Sequence, residues 1–279
     1  KLLGVSLAAV MSISATATNV FAIDTSVIDE KWGKPTVVYG GGLSEDQIQS
    51  TRELFDIEDT NNVYETSVDA NDLYNYLGIV GGDTSSLISS VMVQKQDSGT
   101  GVKVKIITQS NITKITSNQY ANAAITAGVS DVEIDVASVS KVTGESALTG
   151  VYKALEANGE TLDPDRTQVA QDELEATNEI AQNNADDSNF DSARLDQALV
   201  EIKQELAQIK QNQGSAATTE QVEQVVQDAL KKFNLSDIIS QDDIDKLIAF
   251  AKKYQNTSAI NSQEVINQLN KISGSLKKQ

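Results

Sequence analysis

The spacing of apolar residues changes near Pro164, and this change constrains the fold more than any other feature of the sequence. Before Pro164, short runs that suit strands are separated by amphipathic segments and glycine turns. After it, apolar residues recur at steps of three and four, which is the spacing of one helical face. We therefore expect an α+β chain. An N-terminal α/β sandwich with a mixed sheet would occupy residues 23–162, and an all-α helical hairpin or bundle would occupy residues 163–279.

Local signals divide the N-terminal half into elements. Ser44 is placed to cap a helix, and Gly128 to end an alanine-rich one. Residues 145–158 predict the last helix of this half. Two apolar runs, residues 87–94 and 102–108, flank a polar segment that contains glycine. That arrangement predicts that the two runs pair as a hairpin.

A short heptad seam marks the C-terminal half. It covers about two heptads, fewer than the three to four that predict a long coiled coil. We therefore expect the seam to pack inside a bundle of this chain rather than to form an oligomerisation zipper, and the oligomeric state stays open. The seam consists of Leu195, Leu199, Ile202, Leu206 and Ile209.

Composition excludes most familiar catalytic chemistry. The chain contains no His and no Cys, which removes His-dependent catalysis, Cys nucleophiles, Cys/His zinc sites, iron–sulfur clusters and disulfides. Its 22 Lys and Arg residues face 40 Asp and Glu residues, so the net charge is −18. A surface of that charge repels phosphate backbones, and we expect no nucleic-acid partner. We expect no cofactor either, with calcium as the one ion left open.

The first 22 residues have the pattern of an export signal. Lys1 precedes an almost wholly apolar stretch, and Val20 and Ala22 are small residues three and one positions before Ile23. Ser and Thr interrupt the second half of this segment, which disfavours a membrane anchor. We expect residues 1–22 to be a signal peptide, truncated at its start and cleaved after Ala22. The mature chain would then be secreted, without a stable membrane anchor, and extracellular or associated with the cell wall.

Three acidic residues alternate with apolar ones near the middle of the chain. Asp131, Glu133 and Asp135 would lie on one face of a strand, opposite the neighbouring Val and Ile residues. Three carboxylates along one face could bind calcium or supply an acid/base pair. The alternative is that they form the solvated face of a half-buried strand.

One motif suggests a nucleophile. Ser138 and Lys141 fit S-x-x-K, the one familiar hydrolase pattern that needs neither His nor Cys. That motif needs a helix to direct its Lys at its Ser, whereas these residues follow a predicted strand into a loop. We therefore expect no Ser–Lys nucleophile here.

Three segments resemble one known family. They are residues 38–57 (VYGGGLSEDQIQSTRELFDI), 102–129 (VKVKIITQSNITKITSNQYANAAITAGV) and 131–157 (DVEIDVASVSKVTGESALTGVYKALEA). In sequence and order they resemble the YpuA-like family of exported Gram-positive bacterial proteins, a domain of unknown function, over residues 35–181. Where the family usually has prolines before V-T-G-x-x-A-L-T-G, this chain has S-x-x-K, so that motif is not a family feature. The resemblance implies an exported, envelope-associated protein and supplies no activity.

The resemblance also suggests a surface. If family members have a binding surface in common, its candidates here are Thr143, Gly144, Glu145 and Thr149. Helix capping would account for Thr143 and Glu145 equally well.

These observations favour a non-enzymatic binding or scaffolding protein of the cell envelope, whose partner is a cell-wall component or an envelope protein. The first alternative is a carboxylate-based hydrolase of wall polymers, which would need only two suitably spaced acids. A single Trp and seven Tyr provide few of the aromatic platforms that sugar clefts use. The second alternative is a calcium-dependent wall protein.

Overall fold

The computed structural model describes Ile23, Thr25 and residues 32–276, so the predicted signal peptide, residues 1–22, lies outside the described residues. The α+β fold class is confirmed. In the N-terminal half, the elements are β1 (Thr36–Gly40), α1 (Glu45–Leu54), β2 (Tyr64–Val68), α2 (Ala70–Leu77), β3 (Ser90–Lys95), β4 (Val102–Ile106), α3 (Ser117–Ala127), β5 (Val132–Ala137) and α4 (Ala147–Ala157). Ser44 caps α1 through a capping box, and Gly128 ends α3 in the left-handed conformation.

The sheet is mixed, as predicted, with the strand order β2-β1-β3-β5-β4. β1 and β2 are parallel, as are β4 and β5, whereas β3 is antiparallel to both β1 and β5. The expected hairpin between residues 87–94 and 102–108 is therefore wrong, because β5 lies between β3 and β4. The link between them spans two strand spacings, about 10 Å, instead of one.

Asp131 explains how the sheet keeps β3 and β4 apart. Its backbone carbonyl accepts a hydrogen bond from Gln96 N at 2.7 Å, just after β3. Its carboxylate accepts one from Gly101 N, also at 2.7 Å, just before β4. Asp131 itself adopts a φ of 51°, a conformation that non-glycine residues rarely populate. It directly precedes β5, which thus begins between the end of β3 and the start of β4.

Both faces of the sheet are buried. α3 and α4 cover the face that presents Val38, Val91 and Val136. The opposite face presents Val37 and Met92, and it packs against hydrophobic residues of α1 and against Ile23. Strands buried on both faces are typical of α/β sandwiches.

The turn from β1 to α1 requires glycine. A Cβ at Gly40 would overlap the backbone carbonyl of Leu87, and one at Gly42 would overlap that of Ser85. Gly42 N donates to Leu87 O at 2.9 Å, so this turn lies tightly against the segment that leads into β3.

The C-terminal half is helical, as predicted. The heptad seam packs inside this chain, in the second hydrophobic core. Among the described residues, no helix has both the length and the apolar character needed to cross a membrane. The helices are α5 (Pro164–Asn183), α6 (Ser192–Gln213), α7 (Thr219–Lys232), α8 (Gln241–Tyr254) and α9 (Gln263–Leu276).

Residues of the two halves interpenetrate at the predicted boundary. Ala170 and Leu174 of α5 belong to the core of the N-terminal half, and Ile125 of α3 belongs to the core of the helical half. The division at residue 163 stays a prediction about independent folding units.

A fully buried ion pair lies where α3, α5 and α6 meet. Lys203 Nζ is 2.5 Å from Glu173 Oε1, and the two side chains are 0% and 1% exposed. Lys203 also donates to Thr126 Oγ1 at 3.0 Å and to Asn122 O at 3.3 Å, so its charge is compensated within the protein. Burial lowers the pKa of the Lys203 ammonium, and the charge of Glu173 opposes that shift.

Replacing Lys203 by Met would leave the Glu173 carboxylate buried without its partner. We expect K203M to lower the free energy of unfolding by about 3–5 kcal/mol in urea denaturation. The double variant K203M/E173L should be more stable than K203M, because it removes both charges of the pair.

Lys253 provides a matched control, since its Nζ lies 2.6 Å from Asp172 Oδ2 on the surface and both side chains are solvent-exposed. K253M should lower the free energy of unfolding by no more than about 1 kcal/mol. Similar losses for K203M and K253M would contradict the structural role of the buried pair.

Candidate functional site

A cavity of about 360 Å³ opens between α2, the segment before β3, the loop that precedes α4, and α5. The four residues suggested by the family resemblance, Thr143, Gly144, Glu145 and Thr149, all line it. The structure therefore brings these residues together at one site. Their participation in binding stays a prediction.

Two contacts hold the loop before α4 in place. Val142 forms an isolated parallel bridge with Ile112, which anchors the loop to the segment after β4. Gly144 has a φ of 101°, and the Tyr120 hydroxyl donates a hydrogen bond to its carbonyl. Burial, and then the negative charge of Glu145, raise the pKa of Tyr120, so this hydroxyl keeps its proton. A side chain at Gly144 would overlap that hydroxyl.

Capping does not account for Thr143 and Glu145. α4 begins at Ala147, two residues later than predicted, and its N-cap is Ser146, which makes no side-chain capping bond. Thr143 Oγ1 instead donates to Glu145 Oε2 at 3.3 Å. Asn178 Nδ2 on α5 donates to Glu145 Oε1 at 3.1 Å, which fixes the carboxylate at the cavity.

Three buried polar atoms around the cavity have no hydrogen-bond partner among the described residues. They are Ser89 Oγ, Thr149 Oγ1 and Gln171 Oε1, on side chains that are 3%, 0% and 8% exposed. Leaving one such atom unpaired costs about 1–3 kcal/mol. Because buried polar groups are normally paired, three unpaired ones around one cavity make it the candidate site among the described residues.

The lining is rich in hydrogen-bond acceptors. Its charged residues are Glu145 and Glu175, and none of the described residues that line it is Lys or Arg. Gln171 Nε2 donates to Glu175 Oε1 at 2.8 Å, so the unpaired amide oxygen lies beside a carboxylate. Leu77 and Ile79 add an apolar wall, and the adjoining Val80 is 84% exposed. Such a lining suits a ligand that has N–H donors next to apolar groups.

The three acidic residues of the strand region are not brought together. Asp131 accepts from Gly101 N, Glu133 pairs with Lys105, and Asp135 accepts from Ile23 N at 2.6 Å. Within the described ranges, no three His, Cys, Asp or Glu side chains lie where they could hold a metal ion. The geometry therefore does not assemble the calcium site that the pattern allowed.

The alternative interpretation of that strand, a solvated acidic face, is wrong for Asp135. Its side chain is fully buried, because α1 and Ile23 cover the face of the sheet that carries it. Burial raises its pKa to about 7. Asp131 is also buried, and Glu133 is half-buried.

Ser138 and Lys141 do not form a nucleophile pair. Ser138 is buried, and its Oγ donates to the backbone carbonyl of Ser140 at 2.7 Å. Lys141 is exposed in the loop. The hydroxyl is therefore used to hold the loop, as expected for a motif outside a helix.

The sequence analysis missed Ser89, Gln171 and Glu175. They come from the segment before β3 and from α5, and they join the loop only through tertiary packing. As isolated polar residues in elements with ordinary patterns, they carry no local signal of a site.

The chain also matches known proteins over both halves. The model of a family described as "Protein of unknown function (DUF1002)" matches residues 39–272. The chain belongs to the DUF1002 family. It is 30% identical over 259 residues to the "Uncharacterized protein YpuA" of Bacillus subtilis (strain 168), which covers 91% of this chain and 82% of that protein. No solved structure matches the chain.

The family match confirms the resemblance and extends it beyond residues 35–181. The DUF1002 match includes α5 and the helical half, so both walls of the cavity belong to the family region. Every described residue that lines the cavity therefore lies within the part of the chain that matches the family.

Replacing Thr149 by the isosteric Val removes a buried hydroxyl that has no partner. We expect T149V to raise the free energy of unfolding of the ligand-free protein by about 1 kcal/mol, because the unsatisfied group is lost without a change of volume. Urea denaturation measures the difference.

Thr167 is the matched control on the neighbouring helix, since it is also buried but its Oγ1 donates to Tyr76 O at 2.6 Å. T167V should lower the free energy of unfolding by about 1 kcal/mol. A loss of stability in T149V as large as that in T167V would show that the Thr149 hydroxyl is already satisfied.

Proposed function

We propose that this DUF1002 protein is an exported, envelope-associated binding protein without enzymatic activity, and that its cavity holds a peptide with a free amino group. The observation that carries the proposal is the lining, where three buried polar atoms lack partners in a cavity that Glu145 and Glu175 also line.

An ammonium group fits the acceptors. Gln171 Oε1 is unpaired, and Glu175 Oε1 lies beside its amide nitrogen. An ammonium has three N–H donors and a positive charge, so it would satisfy an amide oxygen and neutralise a carboxylate together. An anionic ligand would meet two negative charges without a compensating cation in the lining.

The start of α4 supports a peptide rather than a simple amine. Ala147 N donates to Gly144 O at 3.2 Å, but the N-cap Ser146 makes no side-chain capping bond, so the next N–H groups of the first turn have no side-chain cap. A peptide carbonyl would accept from them. Small apolar side chains of the same peptide would pack against Leu77 and Ile79.

The predicted signal peptide supports a location on the outer side of the cell membrane. The resemblance to exported proteins supports the same location. The absence of His and Cys, with Ser138 bonded to a backbone carbonyl, supports binding over catalysis. Among envelope components, the peptides of the cell wall combine amino groups, carbonyls and small apolar side chains. We therefore propose a wall peptide as the ligand.

Sedimentation with purified wall sacculi tests this function. We expect residues 23–279 to pellet with sacculi, and to stop pelleting after the free amines of the sacculi are acetylated with acetic anhydride. E175Q should weaken binding by roughly tenfold, because a charge-assisted hydrogen bond is worth about 1.5–3 kcal/mol. The binding isotherm measures the change.

Glu179 is the matched control for E175Q, because it is an exposed Glu one turn further along α5, where it pairs with Lys246. E179Q should bind as the native chain does. Release of soluble glycan or peptide fragments would replace this proposal with the hydrolase alternative. Binding that survives acetylation would contradict recognition of an amine.

A further inference from the structure

Ile23 occupies a buried position on the sheet. Its side chain is 4% exposed and belongs to the hydrophobic cluster with Val37, Phe55 and Met92. Its backbone nitrogen donates to Asp135 Oδ2 at 2.6 Å, and this bond is also buried. A residue at the start of the described chain is thus joined to the fourth position of β5.

Asp135 is incompletely satisfied in this arrangement. Its Oδ1 is buried and has no hydrogen-bond partner among the described residues. Burial raises its pKa to about 7, and the Ile23 N–H and Lys105 only partly oppose that shift. Lys105 pairs with Glu133, whose negative charge adds to the rise. Among the described residues, the Asp135 carboxylate thus has one N–H donor, and the cation that acts on it, Lys105, forms its ion pair with Glu133.

Three other titratable groups that pack on this face, those of Tyr39, Arg52 and Glu65, bond to one another, and Lys103 lies beside Glu133 in the strand register. Tyr39 donates to Glu65 Oε1 at 2.5 Å, and Arg52 Nε donates to the same carboxylate at 2.8 Å. Glu65 and Asp135 lie in one row across the sheet, separated by the strands that carry Val37 and Met92. Arg52 is therefore the ion-pair partner of Glu65.

The nitrogen that reaches Asp135 is the one that the predicted signal-peptide cleavage would release. Hydrolysis of the peptide bond between Ala22 and Ile23 consumes one water, leaves a carboxylate on Ala22 and leaves an amine on Ile23, which takes up a proton. We propose that the resulting α-ammonium of Ile23 forms a buried ion pair with Asp135, so that cleavage completes the folded state of the mature chain.

The ammonium provides what the amide lacks. An amide nitrogen has one N–H, whereas an α-ammonium has three and a full positive charge. It can therefore donate to both carboxylate oxygens, including Oδ1, and keep Asp135 ionised. The inference rests on the export part of the proposed function, and it is independent of what the cavity binds.

Blocking the amine tests the pairing directly. The chain that begins at Ile23 is prepared with a free amine and with an N-terminal acetyl group, and both are compared with the full 279-residue chain by urea denaturation. At pH 7.5 we expect the unfolding equilibrium constant to be at least about tenfold larger for the acetylated chain, because acetylation removes the charge. In D135N, acetylation should change that constant less than twofold.

The pH dependence gives a second readout. In the acetylated chain, the folded state holds the Asp135 proton more tightly than the unfolded state, so its stability falls as the pH rises from 3.8 to about 7. In the free-amine chain, the ammonium keeps Asp135 ionised, and this fall should be absent. Below about pH 7 the free amine stays protonated in the folded and the unfolded chain, so the difference between the two chains cancels the titration of the groups that they have in common.

Asp131 is the matched control, because its buried carboxylate accepts from Gly101 N and not from Ile23. D131N should retain the effect of acetylation. If D135N does not fold, NMR titration of the native chain decides, since a paired amine should titrate at least about one pH unit above the usual value of about 7.7–8.0. An amine that titrates at the usual value overturns the proposal.

The processing step has its own measurement. The full chain is supplied with a start codon and expressed in a Gram-positive host. The intact mass of the exported protein should equal that of a chain that begins at Ile23. A mature chain that begins at another residue overturns the proposal, as do equal stabilities of the free and acetylated chains. Failure to bind sacculi would contradict the proposed ligand and leave each of these results unchanged.

Discussion

The buried ion pair between Lys203 and Glu173 determines how the two halves of the protein fit together. Apolar helix faces tolerate small rotations, whereas a buried charge must meet its partner in one register or remain uncompensated. Because the Lys203 ammonium also reaches Thr126 on α3, the pair ties α6 and α5 to a helix of the sheet domain. α3 thereby serves both cores, and Ile125 packs in the helical one.

The cavity depends on the same placement of α5. One of its walls is α5, and the opposite walls are α2 and the loop before α4, which Tyr120 and Ile112 hold in place. The unpaired atoms of Ser89 and Thr149 lie in the segment before β3 and on α4, and both residues are buried. The proposed ligand would restore the stability that the unpaired atoms cost the empty protein.

Local sequence patterns predicted the helices and strands but not which strands pair in the sheet. The Ser44 cap and the Gly128 helix end depend on residues close in sequence, and each appears as predicted. The alternation near residue 133 correctly predicted a strand, β5, but not the burial of Asp135. The position of β5 between β3 and β4 depends on Asp131, whose paired bonds no local pattern announces. The site is likewise only partly visible in the sequence. The resemblance suggested its loop residues, whereas its α5 residues, Gln171 and Glu175, join them only through tertiary packing.

The insertion of β5 between β3 and β4 sets the order in which the sheet can form. A chain that emerges from a ribosome or a membrane channel presents residues 90–106 well before residues 132–137. During that interval the inner edges of β3 and β4 have no strand between them, and open edges attract other extended chains. Residues 90–106 therefore keep unpaired strand edges until the last strand has emerged.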